Sequence, residues 1–114
     1  MLALAGGDAL ASTSLGGRGD NLLRGYPHTE ALLGFGGNDE FWGLAGDDTL
    51  YGGDGDDELY GGTGRDALLA AAGDDFIEAK DGQRDYVECG GGDDAASVDA
   101  RDRVAPGCET LFGF

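Results

Sequence analysis

Five aspartates, Asp39, Asp48, Asp57, Asp66 and Asp75, fall nine residues apart, and each stands two places after a glycine: Gly37, Gly46, Gly55, Gly64 and Gly73. Carboxylate oxygens are hard, charged ligands. A glycine lets backbone carbonyls crowd toward an ion because no Cβ blocks the approach. The residue types therefore point to cation binding. Other chemistries lack their parts. His28 is the only histidine, which removes a His-rich zinc site and gives no support to a serine or cysteine triad. Paired acids can hydrolyse glycosides, but here the repeat accounts for their number, so an enzyme is not expected. Residues 62–67, GTGRDA, fit a dinucleotide-type G-x-G-x-x-A. That motif needs a helix after it, and a strand-like half-repeat follows instead.

The aspartates belong to a frame of nine, G-G-x-G-x-D-x-U-x, where U is apolar. It runs through nine units from residue 16 to residue 97, with Ala79 read as one extra residue. The outer units are poorer. The sixth place holds Asn21 in 16–24 and Glu30 in 25–33, where His28 replaces the fourth-place glycine. In 80–88 it holds Asp85, with Gln83 at the fourth place; in 89–97 it holds Asp94, after Gly92. Each unit is half turn chemistry and half short alternating strand. The stretches between glycines are too short to nucleate a helix. The eighth-place residues, Leu23, Leu32, Phe41, Leu50, Leu59, Leu68, Ile77 and Val87, are expected to line an interior. At the ninth place Trp42, Tyr51 and Tyr60 are expected to form an outward aromatic stripe. Asp47, Asp56, Asp74 and Asp93, beside the sixth place, are expected to face water.

The chain has 114 residues, enough for one domain, with 7 basic against 23 acidic residues and a net charge of −16. Such a chain repels nucleic acid and acidic membrane surfaces, so neither is an expected partner. No run approaches the roughly 20 apolar residues of a membrane span. Scattered glycines and acids would read as disorder, but here they are in frame.

The pattern resembles the RTX, or haemolysin-type, calcium-binding nonapeptide repeat. Units 52–60 and 61–69 match it at every defined place, and the resemblance covers about two thirds of the chain. It implies an all-β fold, a right-handed parallel β-roll (β-solenoid) in which two units make one turn. Several Ca²⁺ ions would sit between stacked turns along both edges. One edge would hold Asn21, Asp39, Asp57, Asp75 and Asp94, and the other Glu30, Asp48, Asp66 and Asp85, with Gly37, Gly46, Gly55, Gly64, Gly73 and Gly92 completing the metal-binding turns. The implied function is a calcium-dependent structural module of an exported bacterial protein, folding outside the cell, where it is extracellular. The alternative is an adhesin-like or carbohydrate- or protein-recognition module using the Trp42, Tyr51 and Tyr60 face; that face would equally pack against a neighbouring domain of a longer protein.

Outside the roll, residues 1–15 are read as an N-terminal tail or partial repeat. Residues 98–114 abandon the period of nine and are read as a C-terminal cap, with Val104, Leu111 and Phe112 covering the last turn. Two cysteines are compatible with one disulfide or with two buried thiols. The expectation is a Cys89–Cys108 bond that pins the cap, worth about 3 kcal/mol for a loop of about 20 residues.

Overall fold

The structure, a computed structural model, describes residues 2–4, 12–79, 81, 83–108 and 110–112, with side chains from 15 to 108 among them. Strands of two to four residues follow one another: β1 (Leu2–Leu4), β2 (Ser12–Leu15), β3 (Leu22–Arg24), β4 (Glu30–Leu33), β5 (Glu40–Trp42), β6 (Thr49–Tyr51), β7 (Glu58–Tyr60), β8 (Ala67–Leu69), β9 (Phe76–Glu78), β10 (Tyr86–Glu88), β11 (Ala95–Ser97), β12 (Arg103–Val104) and β13 (Thr110–Phe112). Odd strands form one parallel sheet and even strands the other. Each strand pairs with the strand two units on, so Leu50 lies opposite Leu68 and Leu59 opposite Ile77. The crossover that a parallel pair needs is supplied by the strand of the opposite sheet. The fold is an all-β parallel β-solenoid, as the repeat predicts.

The core is a double row of eighth-place side chains. Leu23, Leu32, Phe41, Leu50, Leu59, Leu68, Ile77 and Val87 are fully buried, joined by Ala96 and by Val98. In a strand neighbouring side chains point to opposite faces, so a triplet such as Thr49–Tyr51 buries only Leu50.

The turns between strands stack on one another, which explains the fourth-place glycine. Gly55 has φ +105°, and a Cβ there would overlap the carbonyl of Gly37, one turn away. The second place is also left-handed. Glycine occupies it at Gly53, Gly62 and Gly90, but Phe35, Leu44 and Ala71 adopt φ of 69°, 70° and 71° there, at a steric cost of about 1 kcal/mol each.

Three readings change. First, Trp42 and Tyr60 lie on β5 and β7 of one sheet, whereas Tyr51 lies on β6 of the other. Alternate units face opposite sides, so no single stripe joins the three. Trp42 and Tyr60 instead stack on each other, centroids 4.3 Å apart. Second, Ala79 is not the surplus residue. It is buried, and its N–H donates to the Ser97 carbonyl (2.8 Å) as that of Gly43 does to Tyr60 (2.9 Å). It therefore fills a first place, and the added residue lies in the turn 80–84. Third, the sheets run beyond residues 16–97. Ser12–Leu15 pairs with Glu30–Leu33, Arg103–Val104 with Tyr86–Val87, and Thr110–Phe112 with Ala95–Ser97. Val104 packs partly buried against the core; the side chains of Leu111 and Phe112 lie outside the described residues. Cys89 and Cys108 form a disulfide, Cα atoms 5.2 Å apart.

Candidate metal centre

Turns that follow even strands lie on one edge of the solenoid, and turns that follow odd strands on the other. The first edge brings together Asn21, Asp39, Asp57, Asp75 and Asp94, with Gly37, Gly55, Gly73 and Gly92. The second brings together Glu30, Asp48, Asp66 and Asp85, with Gly46 and Gly64. All nine sixth-place side chains are buried, none more than 5 % exposed. Residues that alternate edges in sequence are thus stacked in space by the register of 18.

Each row is a ladder. The backbone N–H of a sixth-place residue donates to Oδ1 of the sixth-place aspartate one turn on. On the first edge Asn21 donates to Asp39, Asp39 to Asp57, Asp57 to Asp75 and Asp75 to Asp94, at 2.7–2.8 Å. On the second edge Glu30 donates to Asp48, Asp48 to Asp66 and Asp66 to Asp85, at 2.8–3.1 Å. The other oxygen is the informative one. Oδ2 of Asp39, Asp48, Asp57, Asp66, Asp75 and Asp85 is shielded from solvent and accepts no hydrogen bond. A buried carboxylate oxygen without a partner is costly.

What surrounds that oxygen is more oxygen. The position a Cβ would take on Gly52 is 2.6 Å from Asp57 Oδ2 and 2.8 Å from the Ala70 carbonyl oxygen of the next turn. At Gly52 a side chain would crowd this cradle, and glycine keeps it open; the later first places carry only the small side chains of Ala70, Ala79 and Cys89. The first-place glycines Gly34, Gly43, Gly52 and Gly61 are in frame in the sequence, so this role was visible there as a pattern without a stated reason.

Burial pushes the Asp57 and Asp66 carboxyls up to about 8 and those of Asp48, Asp75 and Asp85 up to about 7. Stacked carboxylates push the same way, while the N–H from the preceding turn opposes them. Asp39 is raised as well, again chiefly by burial. Such a site resists carrying its negative charges without a cation. The donor set is all oxygen, carboxylate and carbonyl, which fits Ca²⁺ and suits neither the thiolates and imidazoles of zinc sites nor softer metals. Asn21 differs in kind: its Nδ2 donates to the Gly19 carbonyl (2.6 Å) and to Asp39 Oδ1 (3.1 Å), so it closes the row without charge.

Two features escaped the sequence. Asp102 ends the second row: its Oδ1 accepts the Asp85 N–H at 2.9 Å, and its Oδ2 accepts that of Asp99 at 2.9 Å. Its signal was the triplet Asp102–Arg103–Val104, an acid followed two places on by an aliphatic, without the glycines. The acids beside the sixth place do more than face water. Asp20, Asp56 and Asp74 accept the N–H of Asn38, Asp74 and Asp93, each at 2.8 Å, and Asn38 accepts that of Asp56. This outer ladder runs opposite to the inner one, because each acceptor serves the following turn rather than the preceding one. On the second edge Asp47 accepts the Arg65 N–H (2.8 Å). There the fifth place then turns basic, with Arg65 and Arg84, so the negative charge concentrates on the first edge.

Comparison with known proteins agrees with the geometry. Residues 33–68 and 57–86 match the family model of the RTX calcium-binding nonapeptide repeat, in four copies. No curated protein and no solved structure matches the chain. The matched segments hold the turns with the buried, unpartnered oxygens from Asp39 to Asp85, and residues 33–86 are RTX calcium-binding nonapeptide repeats.

Proposed function

We propose that this protein is a calcium-dependent folding module of an exported protein. Ions bind between successive turns on both edges, held by the sixth-place carboxylates of Asp39, Asp57, Asp75 and Asp94 and of Glu30, Asp48, Asp66 and Asp85, with turn carbonyls beside Gly37, Gly46, Gly55, Gly64, Gly73 and Gly92. The observation that supports it is the row of buried Oδ2 atoms that accept nothing. Without a cation they stack like charges about 4.8 Å apart, the spacing of neighbouring strands. With one they become ligands, and binding free energy becomes folding free energy. The residues serve no reaction, and the proposed setting is extracellular, where calcium is abundant. Among the described residues no helix is long and apolar enough to cross a membrane. Circular dichroism during a calcium titration tests the reading. The chelated protein should give a coil spectrum, and millimolar Ca²⁺ should restore sheet cooperatively. A fully chelated chain at neutral pH that stays compact and β-rich would overturn it.

The recognition reading narrows to Trp42 and Tyr60. Trp42 Nε1 donates to Glu40 Oε2, Tyr60 OH donates to Glu58 Oε1, and the rings cover one another's faces. These contacts support a packing role on the outer sheet face, since they fix both rings along it.

A further inference from the structure

The turn from Ala79 to Asp85 is one residue longer than its counterpart from Gly61 to Asp66, and the pairing absorbs the difference without loss. Leu68 still faces Val87, and Ile77 still faces Ala96. The core keeps its order, so the surplus length is expelled to the second edge. There it carries a third acid inward. One carboxylate oxygen each from Asp66, Asp81 and Asp85 lie within 4.8 Å of one another.

A cluster of acids alone means little on a chain this acidic. The burial makes the difference. Asp66 is 3 % exposed and Asp85 1 %, and Oδ2 of all three aspartates is shielded and accepts no hydrogen bond. Arg65 and Arg84 line the groove outside but satisfy none of these atoms. Two oxygens on one Ca²⁺ at about 2.3–2.6 Å stand at most about 4.6–5.2 Å apart, so the observed spread fits a single ion.

We propose that Asp66, Asp81 and Asp85 form one cation site, different in composition from the regular intervals of the roll, and that it is the tightest site of the chain for a hard cation of calcium size. The regular intervals offer carboxylates only from sixth places. Here Asp81 adds a side chain from a turn position where the nonapeptide pattern prescribes no acid. Three carboxylates on one ion raise the electrostatic attraction over two, and ligand charge is a main determinant of calcium affinity. The inference rests on the calcium reading above and adds to it a site the repeat pattern does not mark.

Isothermal titration of the full chain with Ca²⁺ alone tests it, with three variants. Asp81→Asn keeps the Oδ1 that accepts the Gln83 N–H but removes the charge; Asp81→Glu keeps the charge; Asp54→Asn removes a charge from an exposed turn residue. Asp81→Asn should abolish the tightest binding phase or weaken it at least tenfold, while weaker ions still bind and sheet still forms at higher calcium. Asp54→Asn should leave the tightest phase in place, and Asp81→Glu should recover most of it. An Asp81→Asn isotherm superimposable on wild type would overturn the site while leaving the calcium reading intact. An Asp81→Asn chain that stays unfolded in saturating calcium would also overturn it, by assigning Asp81 to the turn rather than to the ion. A wild-type chain that takes up no calcium would remove both.

Discussion

At the scale of single residues, the division of labour within each sixth-place carboxylate governs the behaviour. Oδ1 serves the preceding turn, and Oδ2, buried without a partner, is the oxygen proposed to hold an ion. Asp57→Ala removes both at once, leaving the Asp39 N–H without its acceptor. It should raise the calcium midpoint of folding several-fold. Asp20→Ala, at an exposed place, should move the midpoint little; an equal shift in both variants would contradict the assignment of the inner row. The raised carboxyls also fix a pH dependence. Their folded values are about 7 to 8 for Asp48, Asp57, Asp66, Asp75 and Asp85, against about 3.9 in an unfolded chain. A folded value above the unfolded one means that protons stabilise the roll. The contribution is complete below about pH 4 and is lost as pH rises through 7 to 8. Chelated protein should therefore gain sheet on acidification from pH 8 to 5, and circular dichroism showing further loss of structure would contradict this. The spacing of Asp and Gly made these residues legible in the sequence. The outer ladder was not, because an acid beside a turn glycine looks the same whether it faces water or accepts a main-chain N–H.

At the scale of elements, each three-residue strand is specified by one apolar residue, which is why the core was readable from Leu23 to Val87. Strands outside the frame were not. Ser12–Leu15 puts Ser14 in register with Leu32, so no aliphatic stands where the frame would put one. Arg103–Val104 follows a turn that is one residue short, which throws the period off. The separation of Trp42 from Tyr51 follows from two units per turn and was implied by the alternation of edges. The strained second places offer an element-level test. Ala71 has φ 71° where Gly53, Gly62 and Gly90 sit in other units. Ala71→Gly should stabilise the calcium-bound roll by up to about 0.5 kcal/mol, the relief of left-handed strain less the entropy of glycine. A lower melting temperature for this variant would show that the turn does not hold Ala71 under strain.

At the scale of the whole molecule, the solenoid is a one-dimensional stack in which each turn touches its neighbours. Its stability is a sum of local terms, so whatever is fixed at one end matters beyond its own contacts. The Cys89–Cys108 bond ties consecutive turns of the first edge. Cys108→Ser should cost about 3 kcal/mol in the calcium-bound state, read as a lower denaturant midpoint. The bond also sets a direction. Closing the first turn is the expensive step in growing any stack, and the two ladders, running in opposite senses, favour neither end for the steps that follow. The covalent link has already closed a turn near the C-terminus before any ion arrives, whereas the opposite end begins on Asn21, which brings no charge. Winding is therefore expected to start at the C-terminal end and to run backwards along the chain. Amide exchange should be slowest around β10 and β11 and fastest at β3 and β4, and reduction should flatten that gradient, turning a spool wound from a fixed pin into one that can start anywhere.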